Sequence, residues 1–546
     1  MTSGSMALSP SSDVASPRRI SPWIITPVVS LAAFMEVLDT TIVNSALPHI
    51  AGSLAQSVDD TTWILTTYLV ANAIVLPLNG YLSAWFGRKR YFMSCLVIFT
   101  LSSFMCGIAP NFAALLIFRI IQGLGGGGLQ PGTQAILTDA FPREKGGLAQ
   151  AMFGMVVVFG PIAGPLLGGY LTDNYSWRWC FLVNVPVGLL AILLVFILVS
   201  EPAHQRRLTK AEKRNIDYTG LGFMALGLAA LQIMVDRGED LDWFGSRFIV
   251  ICAIVAVLGI AATVAWEWYN DHPIVDLHLL RERNLALATV GMFFLGVIFY
   301  GSTVLLPLLG QTQMGYTATQ GGWLIAPAGM VVLVLMPIIG RLITKVSTRW
   351  LIFTGVAFNV VGLMMMGQLS LHADFDTLVW DRIIQAAGLP MIFLPFNAAA
   401  FAYVERSHTS DASGIINLAR NIGGSVGISL STAYITNQSQ VHQNFLVAHV
   451  TPLRPVAQAA LHRMQMTLGA TPAGPIYTLR SAEAHIYAMV DAQAHMLGYI
   501  DAFRALAILF LCVVPIAIFL KSATAKAVKA MAAARKQSTV RHDLTP

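Results

Sequence analysis

Charged residues are scarce in this chain of 546 residues, and lysine, arginine, aspartate and glutamate together make up only 11% of it. Because a soluble domain carries about a quarter of such residues, the composition excludes an ordinary water-soluble fold. Hydrophobic residues make up 55% of the chain, and its mean hydropathy is +0.65. We therefore expect lipid to be the solvent for most of the chain.

Cysteine is equally sparse, and the five cysteines lack the paired spacing of a metal site or a disulfide framework. All of them fall in apolar runs, where cysteine behaves as a small hydrophobic residue. We therefore expect no bound metal. The cysteines are Cys95, Cys106, Cys180, Cys252 and Cys512.

Nucleotide-binding signals are missing. The sequence contains no GxxxxGK[ST] phosphate loop, so we do not expect ATP to be the energy source. The letters from Gly123 to Gly128 fit the GxGxxG pattern, but they lie inside an apolar run rather than between a strand and a helix. No nucleophile–base pair or metal cluster is evident. We predict neither an enzyme nor a cofactor, and an ion gradient remains as the source of energy.

The net charge of +6 does not indicate nucleic-acid binding, because the basic residues lie between apolar runs and at both termini. Residues 1–21 are polar, contain Arg18 and Arg19, and precede an apolar run without a small-residue cleavage site. We interpret that run as a retained first helix.

The apolar runs predict about fourteen transmembrane helices, since crossing about 30 Å of hydrocarbon takes roughly 20 residues. The expected fold class is therefore an all-α polytopic membrane protein. The first six runs lie near 22–46, 63–83, 92–109, 113–137, 148–170 and 181–200. The other eight lie near 217–236, 248–267, 286–308, 320–344, 350–369, 379–404, 412–435 and 500–521.

Basic residues are concentrated in alternate loops, which predicts that those loops and both termini lie in the cytoplasm. Few occur in the other short loops. The basic set comprises Arg88, Lys89, Arg90, Arg143, Lys145, Arg206, Arg207, Lys210, Lys213, Arg214, Arg281, Arg283, Lys345, Arg349, Arg406, Lys521, Lys526 and Lys529.

An internal repeat is visible in the sequence. Arg119-Ile-Ile-Gln122 recurs 263 positions later as Arg382-Ile-Ile-Gln385, and two further matches occur at a similar offset. This repeat predicts two homologous six-helix bundles facing each other, with two extra helices inserted between them. The predicted division is a tail (1–21), a first bundle (22–200), a linker with the extra helices (201–285), a second bundle (286–521) and a second tail (522–546).

The second bundle includes a segment at about 436–499 that is too polar to span a membrane and is expected to lie outside the cytoplasm. A structureless loop of this length is unusual. We interpret it as a long outer loop that forms a folded projection or a docking surface, with an insertion of no function as the alternative.

Acidic residues inside the first helix are the strongest functional signal, because buried carboxylates are costly. Glu36 and Asp39 lie three residues apart on one face. Counting from the outer ends of their helices, Asp39 and Arg119 both lie about 10 Å deep, and Glu36 about 15 Å deep. We hypothesise that Asp39 gains and loses a proton, that Arg119 sets its affinity for the proton, and that Glu36 binds protons or cationic substrates. A static ion pair between Asp39 and Arg119 is the alternative.

Four further sets of residues carry candidate roles. A stripe of glycine and proline in the fifth run indicates a hinge or a bundle seal, or else tight packing alone. The loop after the second helix anchors the chain or takes part in gating. A buried polar cluster acts in gating or bonds helices together, and polar residues within apolar runs are candidates for the substrate cavity. The glycine and proline stripe comprises Gly154, Gly160, Pro161, Gly164, Pro165, Gly168 and Gly169, and the loop set comprises Gly80, Gly87, Arg88, Lys89 and Arg90. The polar cluster comprises Asn417, Arg420 and Asn421, and the cavity candidates are Glu36, Tyr68, Asn72, Gln122 and Asn397.

Together these motifs resemble the major facilitator superfamily, and specifically its fourteen-helix drug:proton antiporter branch of the EmrB/QacA type. The resemblance covers nearly the whole chain. It rests on the stretch from Leu38 to Pro48, the loop from Gly80 to Arg90, Arg119 with Gln122 and Gly123, the glycine–proline stripe, and the stretch from Trp177 to Gly188. One departure is Ala84, because the family usually has an aspartate at that position of the loop.

The resemblance implies a proton-driven efflux transporter for drugs or other toxic small molecules, working by alternating access. It also implies that Asp39 and Arg119 couple the proton to transport. The long outer segment resembles the EmrB side, which implies a Gram-negative inner membrane, a periplasmic adaptor (membrane fusion) protein and an outer-membrane channel. The alternatives are a dedicated exporter of one metabolite, such as a siderophore, lipid or fatty acid, and a non-transporting scaffold or sensor. The buried charges favour transport.

Overall fold

The computed structural model describes residues 21–142, 145–201, 217–270, 273–451, 454–468 and 475–521. Within these residues the chain is helical and contains no strand. The predicted tails, apart from Ser21, and the basic stretch 202–216 lie outside the described residues. Thirteen helices in the described part are long and apolar enough to cross a membrane, judged by length and composition. They are α1 (Pro22–Leu54), α2 (Trp63–Phe86), α3 (Arg88–Gly107), α4 (Phe112–Ala140), α5 (Gly147–Asn174), α6 (Trp179–Leu198), α7 (Tyr218–Arg237), α8 (Arg247–Tyr269), α9 (Arg283–Gln313), α10 (Thr319–Leu342), α11 (Thr348–Met366), α12 (Phe375–Phe401) and, after the helix described next, α14 (Tyr477–Phe519).

The remaining predicted span is α13 (Thr409–Val447), a helix of 39 residues. It is less apolar than the other thirteen because it carries Asn417, Arg420 and several serines and glycines among its apolar residues. Its polar residues nevertheless face protein, since both Asn417 and Arg420 are buried. The prediction of an all-α polytopic fold is confirmed.

Two of the spanning helices are broken at corresponding positions of the repeat. α4 is interrupted between Gly126 and Leu129, and α12 is interrupted between Ala387 and Pro390. Glycine residues lower helix propensity at the first break, and proline cannot complete the hydrogen-bond ladder at the second. α5, by contrast, runs without interruption although it contains Pro161 and Pro165.

The helices pack as the repeat predicts. In the first bundle α1 packs against α5, and α4 packs against α2 and α3. In the second bundle the equivalent helices pack in the same way, with α9 against α13 and α12 against α11. The two bundles meet where α5 contacts α10 and where α2 contacts α13. The inserted helices α7 and α8 pack against each other, and α7 also contacts α2 and α13.

The outer segment predicted at 436–499 is largely helical among its described residues, so it is not a structureless loop. α13 continues to Val447, a separate helix spans Pro455–Leu468, and the helix that leads into α14 begins at Pro475. The two long helices are joined by polar contacts, including one of 2.7 Å between His442 Nε2 and Asp501 Oδ2. The apolar run at 500–521 covers only the second half of α14. The first half is more polar, but polar residues can also form a helix.

Candidate functional site

The first polar group of the core forms around Asp39 on α1. Its Oδ2 atom lies 2.5 Å from Nη1 of Arg119 on α4, and both side chains have an exposed fraction of 0%. The other carboxylate oxygen, Oδ1, accepts hydrogen bonds from Gln122 Nε2 at 3.0 Å and from Asn184 Nδ2 at 2.9 Å. Both oxygens of the carboxylate are therefore hydrogen-bonded, a geometry that stabilises its charged form.

Arg119 is fixed by further contacts that do not depend on Asp39. Its Nε atom donates to the carbonyl oxygen of Ile64 at 3.0 Å, and Nη1 donates to Gln122 Oε1 at 2.8 Å. The guanidinium carbon also lies 4.2 Å from the ring centroid of Tyr68. Since an arginine keeps its charge in proteins, Asp39 is the member of this pair that can change charge.

The second polar group forms around Glu36, one helical turn away from Asp39. Its Oε1 atom accepts from Asn72 Nδ2 at 3.0 Å and from the Tyr68 hydroxyl at 3.5 Å, and its Oε2 atom accepts from Gln130 Nε2. Tyr68 thus bonds to Glu36 through its hydroxyl and stacks on Arg119 through its ring. This tyrosine connects Glu36 to the ion pair of Asp39 and Arg119.

Two glutamines of α4 carry hydrogen bonds from the first bundle to the second. Gln130 accepts from Arg420 Nη2 on α13. Gln134 donates to Asn397 Oδ1 on α12 at 2.6 Å and accepts from Asn417 Nδ2 on α13 at 2.7 Å. Sequence reasoning missed both glutamines, although their spacing of four residues in an apolar run places them on one face.

The predicted cavity residues do not share one place. Tyr68 and Asn72 lie at Glu36, but Gln122 bonds to Asp39 and Asn397 bonds to Gln134. Within the predicted polar cluster, Asn417 and Arg420 reach the opposite bundle, whereas Asn421 is half-buried. Asn184, which sequence reasoning gave no role, lies in the stretch from Trp177 to Gly188 that carried the family resemblance.

The glycine stripe of α5 lies against α1. A Cβ atom added at Gly160, Gly164 or Gly168 would overlap Val37, Thr41 or Ile42, respectively. Gly154 instead faces Phe393 and Met336 of the second bundle, and no described atom lies within 4 Å of a Cβ added at Gly169. The stripe therefore permits close packing of α1 on α5, and its role as a hinge stays a prediction.

The loop motif after α2 is held by acidic side chains from elsewhere in the chain. Gly87 has a φ of +91°, the left-handed region that favours glycine. The backbone N–H of Arg88 donates to Glu201 Oε1 at 2.6 Å, and its guanidinium pairs with Asp139.

Although the loop motif has Ala84 in place of the usual aspartate, a carboxylate from elsewhere in the chain lies close to this motif. The carboxyl group of Asp411 on α13 packs so closely on Gly80 that an added Cβ would overlap it. The carboxylate beside this loop motif thus belongs to the second bundle.

The second bundle contains the counterpart of the Arg119 group without its carboxylate. Arg382 Nη1 donates to Ser302 Oγ at 3.1 Å, and Gln385 Nε2 donates to the same oxygen at 2.9 Å. Ser302 follows Asp39 by the offset of the repeat, and no described carboxylate forms an ion pair with Arg382. The buried acid–base pair is therefore confined to the first bundle among the described residues.

Buried charges at the centre of a two-bundle helical fold define a multi-pass membrane transporter, a class in which such residues mark ion and substrate pathways. Two solved structures share the fold at 14% sequence identity: the human organic anion transporter MFSD10, with a TM-score of 0.56, and the proton:xylose symporter XylE, with 0.54. The likeness covers 91% of this chain and 100% of MFSD10, and 90% of this chain and 96% of XylE. A family model described as Major Facilitator Superfamily matches residues 29–433. The chain belongs to the major facilitator superfamily.

Several curated relatives are named as multidrug export or resistance proteins. The multidrug export protein EmrB of Escherichia coli K12 is 37% identical over 443 residues, which cover 81% of this chain and 86% of that protein. The fatty acid resistance protein FarB of Neisseria gonorrhoeae is 35% identical, with 79% and 84% covered. The colistin resistance protein EmrB of Acinetobacter baumannii is 32% identical, with 79% and 83% covered. The resemblance inferred from the sequence motifs is confirmed.

Proposed function

We propose that this protein exports amphipathic small molecules in exchange for protons, by alternating access between two bundles. The observation that carries the proposal is the fully buried pair of Asp39 and Arg119, one helical turn from a second buried carboxylate, Glu36. A group that changes charge in such a place changes the packing energy of its helix. The names of the relatives that are multidrug exporters support the same function.

Proton binding at Asp39 weakens its attraction to Arg119 and its hydrogen bonds from Gln122 and Asn184. Arg119 itself stays in place through the Ile64 carbonyl and the Tyr68 ring. The change is therefore felt mainly by α1, which carries Asp39. Because α1 packs on the glycines of α5, and α5 contacts α10 of the second bundle, a shift of α1 reaches the interface between the bundles.

Substrate competes with the proton through Glu36 and the residues around it. Tyr68 contacts Glu36 through its hydroxyl and Arg119 through its ring, so a substrate that displaces the hydroxyl from Glu36 also disturbs the ring that lies on Arg119. This arrangement makes substrate binding favour loss of the proton from Asp39. Export then follows when the protonated and substrate-bound forms prefer opposite openings of the interface.

Some of the hydrogen bonds between the bundles lie toward the end that bears the basic loops. They include Asn79 Nδ2 to the Ser410 carbonyl at 3.2 Å and Ser413 Oγ to the Pro131 carbonyl at 3.1 Å. With the basic loops in the cytoplasm, as the excess of lysine and arginine supports, this form is closed toward the cytoplasm. Both termini are then cytoplasmic in our proposal.

We assign the protein to a bacterial inner membrane, where it works with a periplasmic adaptor protein and an outer-membrane channel. The support is the resemblance to the EmrB type and the paired helical extension of α13 and α14 beyond the apolar segments. A polar helical projection of this kind offers a surface for an adaptor. Its two helices form one unit, since Gln443 donates a hydrogen bond to the Tyr487 hydroxyl.

A second candidate function is the dedicated export of a fatty acid. It is favoured by the 35% identity to the fatty acid resistance protein FarB. The two functions differ in substrate range rather than in coupling.

The test uses inside-out membrane vesicles acidified inside, with proton release followed by a pH-sensitive dye. Tetraphenylphosphonium and dodecanoate are added separately to wild type, to Asp39→Asn and to the control Asp173→Asn, which alters an exposed carboxylate. We expect release from wild type and the control and none from Asp39→Asn. Full release from Asp39→Asn would overturn the assignment of Asp39, and release by dodecanoate alone would favour the dedicated exporter.

A further inference from the structure

We propose that Arg420 is an anion-recognition residue of the transport pathway, and that it receives the carboxylate of an amphipathic organic acid. This inference rests on the proposed export function and adds a substrate class to it. It gives the protein a positive and a negative recognition group, Arg420 and Glu36, on opposite bundles.

The guanidinium of Arg420 is buried but only partly satisfied. Its side chain belongs to a residue with an exposed fraction of 1%. Nη2 donates to Gln130 Oε1 and, at 3.4 Å, to Asn421 Oδ1, whereas Nε and Nη1 are buried without a hydrogen bond of normal geometry and have the Tyr300 hydroxyl as a polar neighbour of the guanidinium. Buried donors that belong to a charged group are costly to leave unbonded. The edge of the guanidinium that matches the two oxygens of a carboxylate is formed by Nε and Nη2, so a carboxylate can use both donors once the bond from Nη2 to Gln130 opens.

Arg420 and Glu36 form no direct salt bridge in this structure, because the amide of Gln130 lies between them. The amide nitrogen donates to Glu36, and the amide oxygen accepts from Arg420. A direct salt bridge would occupy both charges, but an amide bridge leaves each group able to bind a ligand of opposite charge. The carboxylate of Glu36 and the guanidinium of Arg420 thus lie on either side of the Gln130 amide.

The surroundings of Arg420 suit an amphipathic ligand. The guanidinium carbon lies 5.9 Å from the ring centroid of Phe153 on α5, and that ring stacks on Phe393 of α12 at 6.3 Å. Tyr300 of α9 lies beside the guanidinium as well. An aromatic wall next to a cation binds the apolar body of an organic acid while its carboxylate reaches the guanidinium.

The position of Arg420 makes it accessible during transport. It stands on α13 of the second bundle and reaches Gln130 on α4 of the first bundle. In alternating access the bundles move relative to each other, so this contact opens in part of the cycle and releases a third donor, Nη2. Arg382, whose Nε is also buried without a partner, bonds only to its own bundle and serves as a matched control.

A purely structural role is the rival explanation, in which Arg420 only clamps the two bundles together. The rival predicts that removal of the guanidinium alters the binding of all ligands alike. Anion recognition predicts an effect that depends on the charge of the ligand.

The experiment measures dissociation constants of three probes that share one aromatic body: 1-naphthylacetate, 1-naphthylacetamide and 1-naphthylmethylammonium. The full-length protein is purified in detergent as wild type, Arg420→Gln, Arg420→Lys and Arg382→Gln. Thermal unfolding of each variant shows that it is folded. We expect Arg420→Gln to weaken naphthylacetate binding by about ten- to a hundred-fold, the range of a charge-assisted hydrogen bond, while the amide and the cation bind as before.

Arg420→Lys is expected to recover part of the affinity for the anion, because it keeps the charge but not the fork. Arg382→Gln is expected to leave all three probes unchanged. An equal loss for all three probes in Arg420→Gln, or unchanged binding of the anion, would overturn the proposal. Export of cations by a wild-type protein that does not bind the anion would also overturn it while leaving the proposed function intact, whereas absence of any proton-coupled transport would remove the function itself.

Discussion

Neutralising Asp39 leaves the Arg119 charge buried without its partner, and the cost of this change can be worked out from the contacts. Both side chains have an exposed fraction of 0%, so water does not compensate the guanidinium. Removing one member of a buried ion pair costs about 3 to 5 kcal/mol. We expect Asp39→Asn to lower the free energy of unfolding by an amount in that range, with the hydrogen bonds from Gln122 and Asn184 able to re-form on the asparagine oxygen.

The double variant Asp39→Asn/Arg119→Gln separates the ion pair from general damage to the core. With both charges gone, no buried charge lacks a partner, so we expect the double variant to unfold less easily than Asp39→Asn alone. Chemical denaturation of the protein purified in detergent, followed by circular dichroism, measures the three free energies. A double variant that is less stable than the single variant would refute the reasoning, as would a single variant as stable as wild type.

Other predictions concern packing and the repeat. Gly164→Ala places a Cβ against Thr41, and we expect it to lower stability by about 1 to 3 kcal/mol in thermal unfolding, whereas Gly169→Ala, which meets no described atom, should have no such effect. Ser302→Asp supplies the carboxylate that Arg382 lacks, so we expect a higher unfolding temperature than in wild type, with Ser302→Asn as the uncharged control. If Ser302→Asp and Ser302→Asn unfold at the same temperature, the charge of Arg382 is already compensated.

The general architecture could be predicted from the sequence because it depends on apolar length and on the repeat. The repeat of Arg119 and Gln122 at Arg382 and Gln385 predicted two equivalent bundles, and both pairs lie at equivalent places. The outer segment was predicted to form a folded projection, but the bounds of its helices were not predicted, because hydropathy reports where a helix enters lipid and not where it ends. α13 shows the converse case, since its polar residues are paired with the other bundle rather than exposed.

The composition of the site was less predictable than its location. Depth along two helices was enough to suggest that Asp39 and Arg119 meet, but it cannot show which amides complete the group. Gln130 and Gln134 depend on the rotation of α4 toward the second bundle, which is a property of the assembled fold. The relation between Ala84 and Asp411 likewise depends on a contact between residues more than three hundred positions apart in the chain.

The most direct test of the central claim, that substrate and proton compete through Asp39, is proton release on substrate binding by the purified protein in weakly buffered detergent solution. Without a membrane, the measurement reports binding alone. The account predicts that a bound probe releases protons from wild type, that Glu36→Gln changes the affinity for the probe but keeps the release, and that Asp39→Asn binds the probe without release. Undiminished release from Asp39→Asn would contradict the account, because the proton would then come from another group.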